Sequence, residues 1–102
     1  MPLLRLCSKS ELPANGQATE MVLNGRVICV ANAGGEISAM DNVCLHRGGP
    51  LGQGVVDRDK IICPWHGWTF DRRTGAALHD NRARVPVYPV KIEGDDVMIY
   101  IE

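Results

Sequence analysis

Two short stretches decide the reading of this chain: Cys44-Leu45-His46-Arg47-Gly48-Gly49-Pro50-Leu51 and Cys63-Pro64-Trp65-His66-Gly67-Trp68. Each offers one thiol and one imidazole, and sixteen residues, 47–62, separate His46 from Cys63. The first stretch lies within residues 41–54, a segment rich in glycine, proline and asparagine and too long for a simple turn. A long ordered loop in a compact domain is usually functional. The second opens a further loop, around Pro64 and Gly67, within residues 63–70. Between them, a strand around Ile61-Ile62 would bring the two loops together. That would place Cys44, His46, Cys63 and His66 at one metal-binding centre.

Outward from these loops the chain reads as all-β. Residues 17–23 carry β-branched and apolar side chains, and Asn24-Gly25 marks a two-residue hairpin turn. A buried strand over 26–31 follows, on Val27, Ile28, Cys29 and Val30, and Ala33-Gly34-Gly35 turns the chain again. Residues 36–40 form a short alternating strand, 60–62 another, and 68–70 a strand fragment before a turn over 71–75. The last hairpin joins 88–92 to 97–101 across Gly94-Asp95, and residues 8–12 suit a short helical turn. No solenoid repeat or low-complexity segment is visible.

At 102 residues the chain is expected to be a single domain, 1–102, with one modest core. Hydrophobic residues at 45%, charged residues at 23% and a net charge of −1 are ordinary for a globular protein. That near-neutral balance argues against a general nucleic-acid binder, which needs a basic excess to neutralise phosphates. The first twelve residues lack the basic start and apolar run of a signal peptide, and no apolar run is long enough to span a bilayer. A cytoplasmic protein without a membrane anchor is expected. In that compartment the four cysteines read as metal ligands, catalytic thiols or core residues rather than disulfides.

A two-iron cluster takes four terminal ligands, and histidines replace cysteines on one of the irons in the Rieske arrangement. Cys-x-His followed by Cys-x-x-His at this distance resembles the Rieske family, and the glycine and proline flanks quoted above match too. Asn24-Gly25-Arg26-Val27-Ile28 and Tyr88-Pro89-Val90 are also similar to that family, so the resemblance runs from about Thr19 onward. It implies an all-β domain of antiparallel sheets with a small cluster-binding subdomain formed by the two loops. It also implies one [2Fe–2S] cluster per chain, with Cys44 and Cys63 on one iron and His46 and His66 on the other. Two other readings of the same residues exist: four unrelated core side chains, or a tetrahedral zinc site. Zinc-finger sites pair two cysteines and then two histidines, whereas each loop here alternates, which favours iron.

Gly48, Gly49 and Gly67 are turn glycines that would also let backbone N–H groups approach the cluster sulfurs. Pro50 and Pro64 stiffen the loops. Cys7 and Cys29 read as small core hydrophobes, and Cys29 lies between Ile28 and Val30. His79, among Asp80, Asn81 and Arg82, reads as solvated, as do Arg72, Arg73, Arg82 and Arg84, against a docking patch as the alternative. Arg47, next to His46, suits docking better. Trp65 would shield the centre or meet a partner, and Trp68 would join the core.

High-potential members of the family carry an extra cysteine in each loop, and serine and tyrosine hydroxyls two and four residues after the second ligand histidine. Here Leu45, Arg47 and Trp65 are not cysteines, and the hydroxyl positions hold Trp68 and Phe70. Fewer donors stabilise the reduced cluster less, so a midpoint at the low end of the Rieske range, about −150 mV or somewhat above, is expected. It should fall with pH at alkaline values, because reduction favours protonated imidazoles. The resemblance thus implies a Rieske-type ferredoxin, a one-electron carrier rather than an enzyme. Its donor would be a flavin-dependent reductase and its acceptor a terminal oxygenase of the aromatic-ring-hydroxylating type. A second, mononuclear iron site would need further histidines, and only His79 is left. The alternatives are a small Rieske-like subunit of a nitrite reductase and a zinc-stabilised binding module.

Overall fold

The Asn24-Gly25 turn closes the hairpin expected of it. Strand β2 (Ala18–Leu23) pairs antiparallel with β3 (Arg26–Ala33), from Leu23 opposite Arg26 to Ala18 opposite Ala31. Asn24 and Gly25 have φ of 53° and 75°, the left-handed pair that a type I′ turn needs. Gly34-Gly35 repeats the device into β4 (Glu36–Asp41). This computed structural model describes residues 2–44, 48–65, 67–78, 80 and 83–101.

The three strands belong to a sheet that ends with β8 (Val87–Tyr88), in the order β2-β3-β4-β8. A second sheet joins the two ends of the chain, with β1 (Leu3–Ser8) beside β10 (Asp96–Tyr100) and β10 beside β9 (Val90–Glu93). The third is the meander β5 (Val55–Asp57), β6 (Lys60–Ile62) and β7 (Thr69–Asp71). All pairings between strands are antiparallel.

Strand β3 explains the layering. Side chains alternate across a strand, yet Ile28, Cys29, Val30 and Ala31 are all buried. Ile28 and Val30 pack with Ala39, Ile99 and Ile101 on one face. Cys29 and Ala31 pack with Met40, Val56, Ile61 and Phe70 on the other. The four-stranded sheet is therefore covered on both faces, which is why β3 reads as an unbroken apolar run. Each fully buried Ile, Val or Phe side chain contributes roughly 1.5–3 kcal/mol.

Some expectations need adjustment. Neither β1 nor β5 is evident in the sequence, and the strand fragment at 68–70 runs one residue later, as β7. The expected strand over 88–92 is two strands. Val87–Tyr88 pairs with β4, Val90–Glu93 pairs with β10, and Pro89, which has no N–H to donate, separates them. The turn expected at 8–12 is a short 3₁₀ helix, Lys9–Glu11. There the Ser8 N–H and hydroxyl donate to the Glu11 carboxylate at 2.9 and 3.0 Å.

Arg72 is the clearest correction. It was expected on a solvated face, but its side chain is only 2% exposed. Its Nη2 donates to the Glu36 carboxylate at the start of β4 and, at 2.9 Å, to Asp59 between β5 and β6. It thereby ties the central sheet to the third one. Arg73 is exposed and also reaches Glu36, at 2.9 Å, and Arg84 is exposed as expected. Arg82, Arg47 and His79 lie outside the described residues.

Candidate metal centre

The third sheet is the stem from which the second loop grows. Residues 63–68 connect β6 to β7, closed by the Ile62–Thr69 pair and by the Cys63 N–H donating to the Trp68 carbonyl at 2.7 Å. Gly67, at φ 72°, turns the chain back. Cys63 is buried at the base, and the Trp65 N–H points at its Sγ at 3.4 Å, within the range of N–H···S contacts.

The first loop leaves β4 and returns through a 3₁₀ turn, Leu51–Gln53, into β5. Its two stems face each other like a short ladder. Val43 bridges Pro50, the Cys44 N–H donates to the Gly49 carbonyl at 2.9 Å, and the Gly48 N–H donates to the Cys44 carbonyl at 2.8 Å. Gly48 takes φ 73°, as a chain reversal there requires. Cys44 is buried in the same packed cluster as Cys63.

The two loops touch through Gly49. A Cβ at that position would stand 2.7 Å from Cys63 Sγ and 3.1 Å from Trp65 Cβ. The glycine therefore serves close approach, and the Trp65 N–H meets the Cys63 sulfur. The Gly48 N–H donates to the Cys44 carbonyl.

Neither Cys44 nor Cys63 is in a disulfide. The other two thiols sit elsewhere, in β1 and β3, and behave as the core residues expected. Burial pushes the Cys29 thiol up to about 12, helped by the nearby Glu20 carboxylate, and burial also raises Cys7. His46 and His66 lie outside the described residues. Trp68 packs against the core with its ring centroid 6.3 Å from that of the fully buried Phe70. Trp65 is 49% exposed, and Val43 and Leu78 are also exposed. The hydroxyl of Thr69 donates to the Gly67 carbonyl at 3.2 Å.

Sequence reasoning passed over Asn42 and Gly52. Asn42 is buried at the foot of the first loop, its Oδ1 accepting from the Gly52 N–H at 2.6 Å. Only its place two residues before Cys44 could have drawn notice, since burial of a lone asparagine is invisible in sequence.

Two buried loop thiols, a glycine-lined approach to one of them and an N–H donor at its sulfur suit the thiolate half of an iron–sulfur site. The comparisons agree. The family described as "Rieske [2Fe-2S] domain" matches residues 3–89, starting earlier than the Thr19 suggested by motifs alone. The ferredoxin component of biphenyl 2,3-dioxygenase from Rhodococcus jostii (strain RHA1) is 36% identical, with 100% of this chain and 95% of the relative covered. The ferredoxin of carbazole 1,9a-dioxygenase from Nocardioides aromaticivorans IC177 is similar over the whole of both chains, at TM-score 0.87 and 27% identity. A chain in the complex of reduced oxygenase and oxidized ferredoxin in carbazole 1,9a-dioxygenase is similar at TM-score 0.83 and 25% identity, over 95% of this chain and 91% of that one. With a match that spans both cysteine-bearing loops, this chain belongs to the Rieske [2Fe–2S] domain family, and its cofactor is a Rieske-type [2Fe–2S] cluster.

Proposed function

We propose that this protein is the ferredoxin component of a dioxygenase system, carrying single electrons from a flavin-dependent reductase to a terminal oxygenase that hydroxylates aromatic rings. In this reading residues 1–102 act as one cluster-carrying domain. Cys44 and Cys63 hold one iron, and His46 and His66 the other. The cluster supplies a one-electron couple, and the chain's residues bury it, tune it and present it. The observation that carries the reading is the pair of buried loop cysteines in one packed cluster, with Gly49 of one loop pressed on Cys63 of the other. The like-sized ferredoxin components among its relatives support the carrier role over that of an enzyme.

Around the loops, Val43, Trp65 and Leu78 expose apolar side chains. An exposed apolar rim suits a small, transient electron-transfer contact. Among the described residues no helix is long and apolar enough to cross a membrane. We place the protein in the cytoplasm, a reducing compartment in which Cys7 and Cys29, the two thiols not assigned to iron, stay as free thiols.

The test is stopped-flow transfer from the chemically reduced protein to a terminal oxygenase of the biphenyl or carbazole type. Wild type should reduce it rapidly. Trp65→Ala should lower the second-order rate about tenfold, as losing an aromatic anchor would. A wild-type rate for the variant would remove the docking role. Stable co-purification with a nitrite reductase would replace the carrier reading with that of a small subunit.

A further inference from the structure

We propose that Asn42, which follows β4, is a positioning residue for the first cluster loop, and that Glu20 on β2, beyond β3 in the same sheet, holds it in place. The inference rests on reading Cys44 as a ligand. All four polar groups of Asn42 are engaged. Its N–H donates to the Val27 carbonyl at 3.3 Å and its carbonyl accepts from the Leu51 N–H at 2.8 Å. Its Nδ2 donates to Glu20 Oε2 at 2.6 Å, and its Oδ1 accepts from the Gly52 N–H at 2.6 Å.

Glu20 grips both stems of the loop. One carboxylate oxygen takes Asn42 on the departing stem and the other takes Gln53 Nε2 on the returning stem, at 3.0 Å. Gly52 lets the returning stem press close. A Cβ there would stand 2.8 Å from Asn42 Oδ1 and 2.9 Å from the Thr19 carbonyl. From this latch the ladder climbs through the Val43–Pro50 bridge to the Cys44–Gly49 hydrogen bond. Two extended residues span about 7 Å, and the rungs are consecutive, so a shift at Asn42 is passed to Cys44.

The second loop has no counterpart among the described residues, because Cys63 is placed directly by the register of β6 and β7. The latch therefore sets one cysteine relative to the other. An apolar side chain at position 42 would fill the space but leave the buried Gly52 N–H without a partner, and the loop would have to move to satisfy it. Glu20 itself is exposed, so its replacement can loosen the latch without opening the core.

The experiment uses the cluster-loaded protein and four substitutions: Asn42→Ala, Glu20→Ala, Glu20→Gln and Cys44→Ala. Iron release to an excess of chelator, the EPR signal of the reduced protein and thermal unfolding are measured together. Asn42→Ala and Glu20→Ala should release iron about tenfold faster or more, the scale on which residues supporting metal ligands act. Both should also shift the EPR g values. Glu20→Gln keeps an acceptor for Asn42 Nδ2, and its new NH2 can donate to the oxygen of a flipped Gln53 amide, so it should return both readouts to wild type. If Asn42→Ala does not fold, Glu20→Ala decides. Loss of thermal stability with wild-type iron release and g values in Glu20→Ala would overturn the proposal and leave a merely structural contact. A Cys44→Ala protein that kept a wild-type cluster would instead overturn the ligand reading on which the proposal stands.

Discussion

Position 49 shows how little room a single residue has here. Gly49 does not need a left-handed backbone, so what an added methyl would cost is contact: Cys63 Sγ at 2.7 Å and Trp65 at 3.1 Å. Overpacking of this kind costs about 1–3 kcal/mol and displaces what it strikes. Gly49→Ala should therefore fold, by circular dichroism, but hold less iron and absorb less visible light per chain. Full iron content would show that the loops do not pack this tightly. Arg58 carries strain of a different sort. It occupies the first position of the two-residue β5–β6 turn at φ 56°, where a bulky side chain is disfavoured. Arg58→Asn should stabilise the fold by about 0.5–1 kcal/mol in denaturant titrations. The cysteine–histidine spacing made the pairing of the two loops legible in sequence, and Cys44 and Cys63 do lie in one packed cluster, because the motif of each loop is local. The packing of Gly49 and the burial of Asn42 were not legible, because each depends on a neighbour more than ten residues away.

The elements that the sequence displayed are those whose partners lie next to them in the chain. The β2–β3 and β3–β4 hairpins have two-residue turns with glycine, and their strands pair across those turns. Strand β1 is different, since its partner β10 lies at the other end of the chain. Strand β5 is three residues long, too short for a periodicity. Arg72 belongs to this scale, because it joins three elements. Glu36 and Asp59 are each about half exposed, so water can relieve them when the cation is removed. Arg72→Leu should cost about 2–3 kcal/mol, below the full penalty for breaking a buried pair, and a loss under 0.5 kcal/mol would contradict a fastening role. Glu36 titrates accordingly. The hydrogen bond from Arg72, and then that from Arg73, hold its carboxyl below the ordinary value of 4.5. Its contribution is present above that value and is lost as pH falls through the lowered one. Glu36→Gln should flatten the acid side of the stability–pH profile, whereas an unchanged slope would show that the pair does not stabilise the fold.

For the molecule as a whole, three sheets divide the work. The central sheet, covered on both faces, fixes the third sheet, and the third sheet carries a loop at each of two strand ends. The end of β4 and the β6–β7 stem thus hold one buried thiol each while Val43 and Trp65 stay exposed. That combination suits a carrier, which must keep its geometry on gaining an electron and meet partners briefly. The measurement that tests the central claim most directly is the EPR spectrum of the dithionite-reduced protein, with iron and sulfide assayed on the same sample. Two irons and two sulfides per chain, with the low average g of mixed histidine and cysteine ligation, are the expected result. A colourless, EPR-silent protein containing zinc would contradict the account, because the ligand residues would then serve a structural metal and no electron could be carried.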